Sequence, residues 1–144
     1  MEEDNKKLKA AAKKAGMIVK AKKKSATARA VIRKGTGTIK INRMNIHAYA
    51  KGYVKELLLE PVRLAGEALK EYDIDVDVKG SGFMSQAVAV RSCIAKALVK
   101  AKGKKLKDIF TAYDRTLLVD DVRRVESKKP LGRKARKKKQ KSKR

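Results

Sequence analysis

Lys79, Gly80, Ser81 and Gly82 stand where a strand-like alternation passes into a helix-like stretch, and two chemistries fit that spacing. One is dinucleotide binding. It asks for three glycines and an acidic residue about 20 positions on to hold a ribose. Ser85 replaces the third glycine, and the distant positions carry Lys100, Lys102, Lys104 and Lys105, which have the wrong sign. No nucleotide cofactor is expected. The other chemistry is a backbone phosphate. Glycines let the backbone approach a ligand, and a helix N-terminus offers free N–H groups with partial positive charge. Lys79 and Gln86 flank the turn. On charge, an RNA-facing turn is preferred over one that merely joins strand to helix.

The remaining reactive residues make weaker sets. Asp73, Asp75 and Asp77 share one strand face about 7 Å apart, a spacing conceivable for a metal or an acid/base pair. No histidine or further acid cluster joins them, so a solvated strand face is the better reading. His47 and Cys93 are the single His and single Cys. They lack a supporting motif for nucleophilic catalysis and are too few for a zinc site. No enzyme and no metal are expected. Cys93 reads as a small packing residue. Tyr49, Tyr53, Tyr72 and Tyr113 are scattered and show no base-stacking motif.

Charge is the strongest signal. The 144 residues carry 40 Lys+Arg against 15 Asp+Glu, a formal net charge of +25. Self-repulsion at that charge calls for a polyanionic partner, and nucleic acid is the first candidate because neutralised phosphates release counterions. No run of about 18 apolar residues is present, and no strongly amphipathic helix suggests a membrane surface. The acidic start, Glu2, Glu3 and Asp4, with no apolar stretch behind it, does not read as a signal peptide. A lone cysteine forms no intrachain disulfide and fits a reducing compartment. The last 17 residues hold eleven Lys or Arg and no acid, cannot pack a core, and are expected to be disordered alone. Extended, they reach about 55–60 Å.

The elements that position these residues follow from periodicity. Strands are expected around Met17–Val19 and Thr27–Lys34, with Ala28, Ala30 and Ile32 on one face. Gly35, Thr36 and Gly37 offer a turn into Thr38–Asn42, which gives an expected hairpin. Residues 51–71 read as two helical pieces separated near Pro61. Ile74, Val76 and Val78 alternate with aspartates in the cleanest strand, 73–79. Ala87, Val90, Ile94, Ala97 and Leu98 mark the strongest helix, 84–102. A short helix over 104–113 and an extended segment beyond it complete an α/β or α+β domain. The parts are a basic arm (1–16), a globular RNA-binding domain (17–126) and a basic tail (127–144).

Three stretches carry a resemblance: "KKKSATARAVIRKGTGTIKIN" (22–42), "VKGSGFMSQAVAVRSCIAKAL" (78–98) and "DDVRRVESKKPLGRKARKKKQKSKR" (120–144). Together they resemble the ninth protein family of the small ribosomal subunit, in its archaeal form, over nearly the whole chain. That resemblance implies a two-layer α/β sandwich with a left-handed β-α-β crossover, similar to the second domain of the fifth small-subunit protein. It implies a cytoplasmic, ribosomal location, contact with ribosomal RNA and neighbouring proteins in the subunit head, and a tail reaching P-site transfer RNA. The ribosomal RNA positions it implies, together with those the charge pattern suggests, are Lys22, Lys23, Lys24, Arg29, Lys79, Gly80, Gly82, Gln86, Arg91, Arg123, Arg124, Lys128, Lys129, Arg133, Lys134, Arg136, Lys137, Lys138 and Lys139. Ser142, Lys143 and Arg144 match the transfer RNA end, although Lys141 and Lys143 leave that tip without the aromatic that members commonly carry. A chromatin-type DNA-binding protein is the alternative that shares the charge and the tail.

Overall fold

The computed structural model describes residues 16–137. Strands β1 (Met17–Lys23) and β2 (Ala26–Lys34) are followed by β3 (Ile39–Ile41), β4 (Met44–Asn45), α1 (Ile46–Tyr49) and α2 (Gly52–Ala65). A 3₁₀ stretch (Gly66–Glu71) leads into β5 (Tyr72–Lys79), then α3 (Phe83–Lys102), α4 (Lys104–Tyr113) and a 3₁₀ turn (Arg115–Leu117). The five strands form one mixed sheet in the order β1-β2-β5-β3-β4. Only β3 and β5 run parallel, and the intervening helices make the crossover between them. The fold is α+β.

Period-two alternation sends one set of strand side chains to the core. Ala28, Ala30 and Ile32 of β2 and Ile74, Val76 and Val78 of β5 are buried, as their spacing predicts. Against them lies α3, with Ala87, Val90, Ile94, Ala97 and Leu98 all buried. Ala21, Ala26, Ala28 and Ala30 are each 0% exposed. These short side chains leave room for the helix to lie close to the sheet, and an added methylene there would overpack it. The opposite sheet face bears exposed Lys20, Lys22, Arg29, Asp75, Asp77 and Lys79.

Three expectations are corrected. The hairpin is β1–β2, turning at Lys24 and Ser25, with β1 reaching Lys23 rather than ending near Val19. β2 and β3 do not pair, because β5 lies between them. Antiparallel β2–β5 pairing sets Arg29 opposite Asp77 and Arg33 opposite Asp73. Pairing opposite charges is favourable, whereas the expected hairpin would have brought the cationic β2 face against Lys40. The Gly35–Thr38 loop is instead latched to β5. The Asp73 carboxylate accepts from the backbone N–H of Thr36 and of Thr38, both at 2.9 Å.

Second, α2 runs unbroken through Pro61. The proline has no N–H for the Leu57 carbonyl, a loss of about 3 kcal/mol in an isolated helix. Here its ring is buried beside Leu57, Leu58 and Ala65 on the core face, and tertiary packing outweighs the local defect. Third, the segment beyond α4 begins with the 3₁₀ turn before it extends, because Asp114 caps it by accepting from the Thr116 N–H at 2.7 Å.

The backbone donors of Thr38 and Thr36 hold the Asp73 carboxyl below its usual value. A carboxyl so depressed stabilises the fold above its unfolded pKa, and the contribution disappears as pH falls through the lower folded value. We expect Asp73→Ala to cost about 1–2 kcal/mol at neutral pH. The difference from the native chain should narrow on acidification below about pH 4 in thermal melts.

Candidate nucleic-acid interface

The turn between β1 and β2, the β5–α3 loop and the segment after the 3₁₀ turn are far apart in sequence but meet at one end of the sheet. Lys24, Ser25, Ser81, Arg124 and Val125 line an open cleft of about 520 Å³ there. Three backbones in this end adopt positive φ: Lys24 (56°), Gly80 (84°) and Ser81 (58°). At Gly80 a side chain is doubly excluded. Its Cβ would sit 2.5 Å from the Ser25 carbonyl oxygen, so the glycine serves the close approach of two protein loops. Gly82 differs: its φ is −88° and a Cβ would meet open space. It precedes α3 without a side-chain cap, which leaves the first-turn N–H groups facing solvent beside an exposed loop. Gln86 works within the loop. Its Nε2 donates to the Gly80 carbonyl at 3.2 Å, and its Oε1 lies 3.4 Å from the Tyr49 hydroxyl.

Two adjacent acids, which the sequence reading did not single out, attach the C-terminal segment to this end. Asp120 accepts from the Lys22 backbone N–H at 3.2 Å and pairs with Lys96 Nζ at 2.7 Å. Asp121 pairs with Lys23 and takes the Arg123 guanidinium at 2.6 Å, and it bridges to Lys23 in parallel-strand fashion. The Arg123 hydrogen bonds, then that of Lys23, drive the Asp121 carboxyl far below the usual carboxylate range. An Asp-Asp pair in front of a basic run is the sequence signal that could have revealed this anchor.

Past the anchor, Val122, Val125 and Leu131 are 86%, 89% and 91% exposed, so among the described residues these three side chains are not part of the core. This stretch turns at Pro130 and Leu131 and then curls so that the Arg133 N–H donates to the Lys137 carbonyl at 2.9 Å. Glu126 holds Arg136 at 2.9 Å and Lys129 at 3.4 Å. With Lys128, Arg133, Lys134 and Lys137 it lines a second open hollow of about 580 Å³.

The named cations therefore separate into two groups. Lys23, Arg123, Lys129 and Arg136 face acids of the chain. Lys22, Lys24, Arg29, Lys79, Arg124, Lys128, Arg133, Lys134 and Lys137 have no acidic partner within ion-pair distance among the described residues. Arg91 stands apart from both. It is only 8% exposed and is clamped between Glu60 at 2.6 Å and Asp114 at 2.9 Å. Burial raises the Asp114 carboxyl, but hydrogen bonds from Thr116 and Arg91 outweigh it and hold the group low. Arg91 thus ties α2, α3 and the α4 exit together. Lys138, Lys139, Ser142, Lys143 and Arg144 lie outside the described residues.

The other reactive residues do not converge. Cys93 is buried against β1 and β2, its Sγ 3.6 Å from the Val19 and Ala28 carbonyl oxygens, and desolvation pushes its pKa up to about 11. His47 follows β4 at the opposite edge of the sheet. Asp73 is committed to the loop latch, while Asp75 and Asp77 lie on the open face. Among the described residues no helix is long and apolar enough to cross a membrane.

Comparison with known proteins places these features in one family. The family model described as Ribosomal protein S9/S16 matches residues 21–144. A small ribosomal subunit protein uS9 from Methanococcus maripaludis is 49% identical over 110 residues, 76% of this chain and 82% of the relative. The uS9 of Picrophilus torridus is 48% identical over 122 residues (84% and 92%), and that of Thermoplasma volcanium 46% over 127 (88% and 96%).

The two loop glycines have different structural duties, and substitution separates them. Gly80→Ala is expected to cost about 2 kcal/mol, from its positive φ and its collision with the Ser25 carbonyl. Gly82→Ala should cost under about 1 kcal/mol. Chemical denaturation of both variants checks the contrast.

Proposed function

The chain belongs to the ribosomal protein S9/S16 family, and from that premise we propose that it is a structural, non-enzymatic component of the small ribosomal subunit that acts by binding ribosomal RNA. One observation carries the reading: Lys24, Ser81 and Arg124, from three distant segments, share a cleft in which neither cation has an acidic partner among the described residues. That arrangement suits an RNA backbone, whose phosphates would neutralise Lys24 and Arg124 while Ser81 and its neighbours offer hydrogen bonds. The family relationship supports a cytoplasmic ribosome as the setting.

In this reading residues 17–126 dock on folded RNA of the subunit head, beside neighbouring proteins. Residues 127–144 form an arm that orders as its charges are neutralised. Residues 1–16 add a basic extension. The crossover joining β3 to β5 is read as left-handed, by the family resemblance. Lys22, Arg29 and Lys79 extend the RNA contact along the open sheet face, and Gly80, Gly82 and Gln86 shape the loop. Arg133, Lys134 and Lys137 to Lys139 line the path of the arm. Ser142, Lys143 and Arg144 reach P-site transfer RNA and hold its phosphates without reading sequence. Arg91, buried in its acidic clamp, is assigned to the fold and not to RNA.

Two measurements test this. Binding of small-subunit RNA fragments should fall linearly on a log–log plot against salt, and Lys24→Ala or Arg124→Ala should each shallow the slope by about 0.7–0.9. Equal slopes for native and variant chains would remove the cleft from the interface. Deleting residues 140–144 should leave co-sedimentation with small subunits intact on sucrose gradients yet weaken P-site transfer RNA binding. Undiminished transfer RNA affinity would contradict the role of the tip.

A further inference from the structure

Next to the cleft, α3 begins with two apolar side chains turned to solvent. Phe83 is 53% exposed and Met84 48% exposed. The Phe83 ring is backed by Tyr49, with centroids 6.5 Å apart and planes inclined at 31°. Tyr49 is half-buried, and its hydroxyl lies by Gln86, which is itself fastened to the Gly80 carbonyl. The rear ring is thus held in place while the front ring stays more than half open to solvent.

The two segments that carry this aromatic pair are as one-sided as the charge of the whole chain. Segments 42–53 and 78–86 contain Arg43, His47, Lys51 and Lys79 and no Asp or Glu. They are tied to each other: the Asn42 side chain accepts from the Val78 N–H at 2.9 Å and donates to the Val78 carbonyl at 3.3 Å. Arg43 follows directly, at a φ of 68° in the turn between β3 and β4.

We infer that Phe83, braced by Tyr49, is a stacking shelf for one unpaired RNA base, whose flanking phosphates are met by the cations of these two acid-free segments. The inference rests on the RNA-binding reading above and adds a contact of a different physical kind. An exposed aromatic ring on segments that carry cations and no acid suits a base with a charged backbone on either side, because every base has a π-face and every linkage an anion. A duplex hides its base faces and cannot use the shelf. Phe83 carries no charge, so its contribution is independent of counterion release.

The test compares the full chain with Phe83→Leu and Phe83→Tyr. The probes are a short single-stranded RNA with interspersed 2-aminopurine and a blunt RNA duplex, each titrated at several KCl concentrations. Phe83→Leu should weaken single-strand binding about 5- to 150-fold and reduce the change in 2-aminopurine emission. It should leave the salt slope and duplex affinity unaltered, and Phe83→Tyr should bind as the native chain does. The inference is overturned if Phe83→Leu binds the single strand as tightly as the native chain, or if it loses single strand and duplex alike. It is also overturned if the native chain binds without altering 2-aminopurine emission, a readout that needs no variant. It falls too if the substitution spares RNA but abolishes co-sedimentation with other head proteins. Absence of any salt-dependent RNA binding by the native chain would instead defeat the RNA-binding reading itself.

Discussion

Fifteen carboxylates against forty cationic side chains set the terms on which this chain holds together. With so few acids, where each one sits decides what is rigid. Asp73 fixes the loop between β2 and β3. Glu60 and Asp114 clamp Arg91 at the meeting of three helical elements. Asp120 and Asp121 fasten the C-terminal segment to the rim of β1. These acids sit at joints, and among the described residues the cations left over include Lys24 and Arg124 at one end of the sheet, Arg29 and Lys79 on its open face, and Lys128, Arg133, Lys134 and Lys137 along the C-terminal segment. Breaking the Arg91 clamp would leave two partly buried carboxylates uncompensated, which is why a partly buried pair can matter more to the fold than an exposed one.

The insertion of β5 between β2 and β3 has consequences beyond the sheet order. It carries the β5–α3 loop to the turn between β1 and β2, where Gly80 passes so close to Ser25 that a side chain has no room. It also places Asn42 beside Val78, which couples the β3–β4 turn to the same loop. One strand placement therefore assembles the cleft and the aromatic pair together. The alanines of β1 and β2 make the same contribution from the core side, since a close α3 sets where its N-terminus, and so the loop, must lie.

Much of this was readable from residues. The alternation of Ile74, Val76 and Val78, the faces of β2 and the core stripe of α3 all appear as their periodicity indicates. The reach of β1 to Lys23, the run of α2 through Pro61 and the partner of β2 did not. A proline is read locally as a break, yet burial of the α2 face offsets one missing hydrogen bond. Gly35 to Gly37 are read locally as a hairpin turn, yet the Asp73 carboxylate, 37 residues from Thr36, takes the loop's N–H groups. Gly80 and Gly82 look alike in sequence, and only their surroundings give them different duties.

Composition and pattern alone were enough to settle that the chain is strongly cationic and suited to a polyanion. Those properties are sums over residues and local periods, and they survive any arrangement of the strands. The tertiary structure decided which of the described cations are neutralised internally, which remain open, and that Phe83 and Tyr49 stand together. Pairing energies fall off within a few ångströms, so they depend on distances between segments that sequence separation does not report.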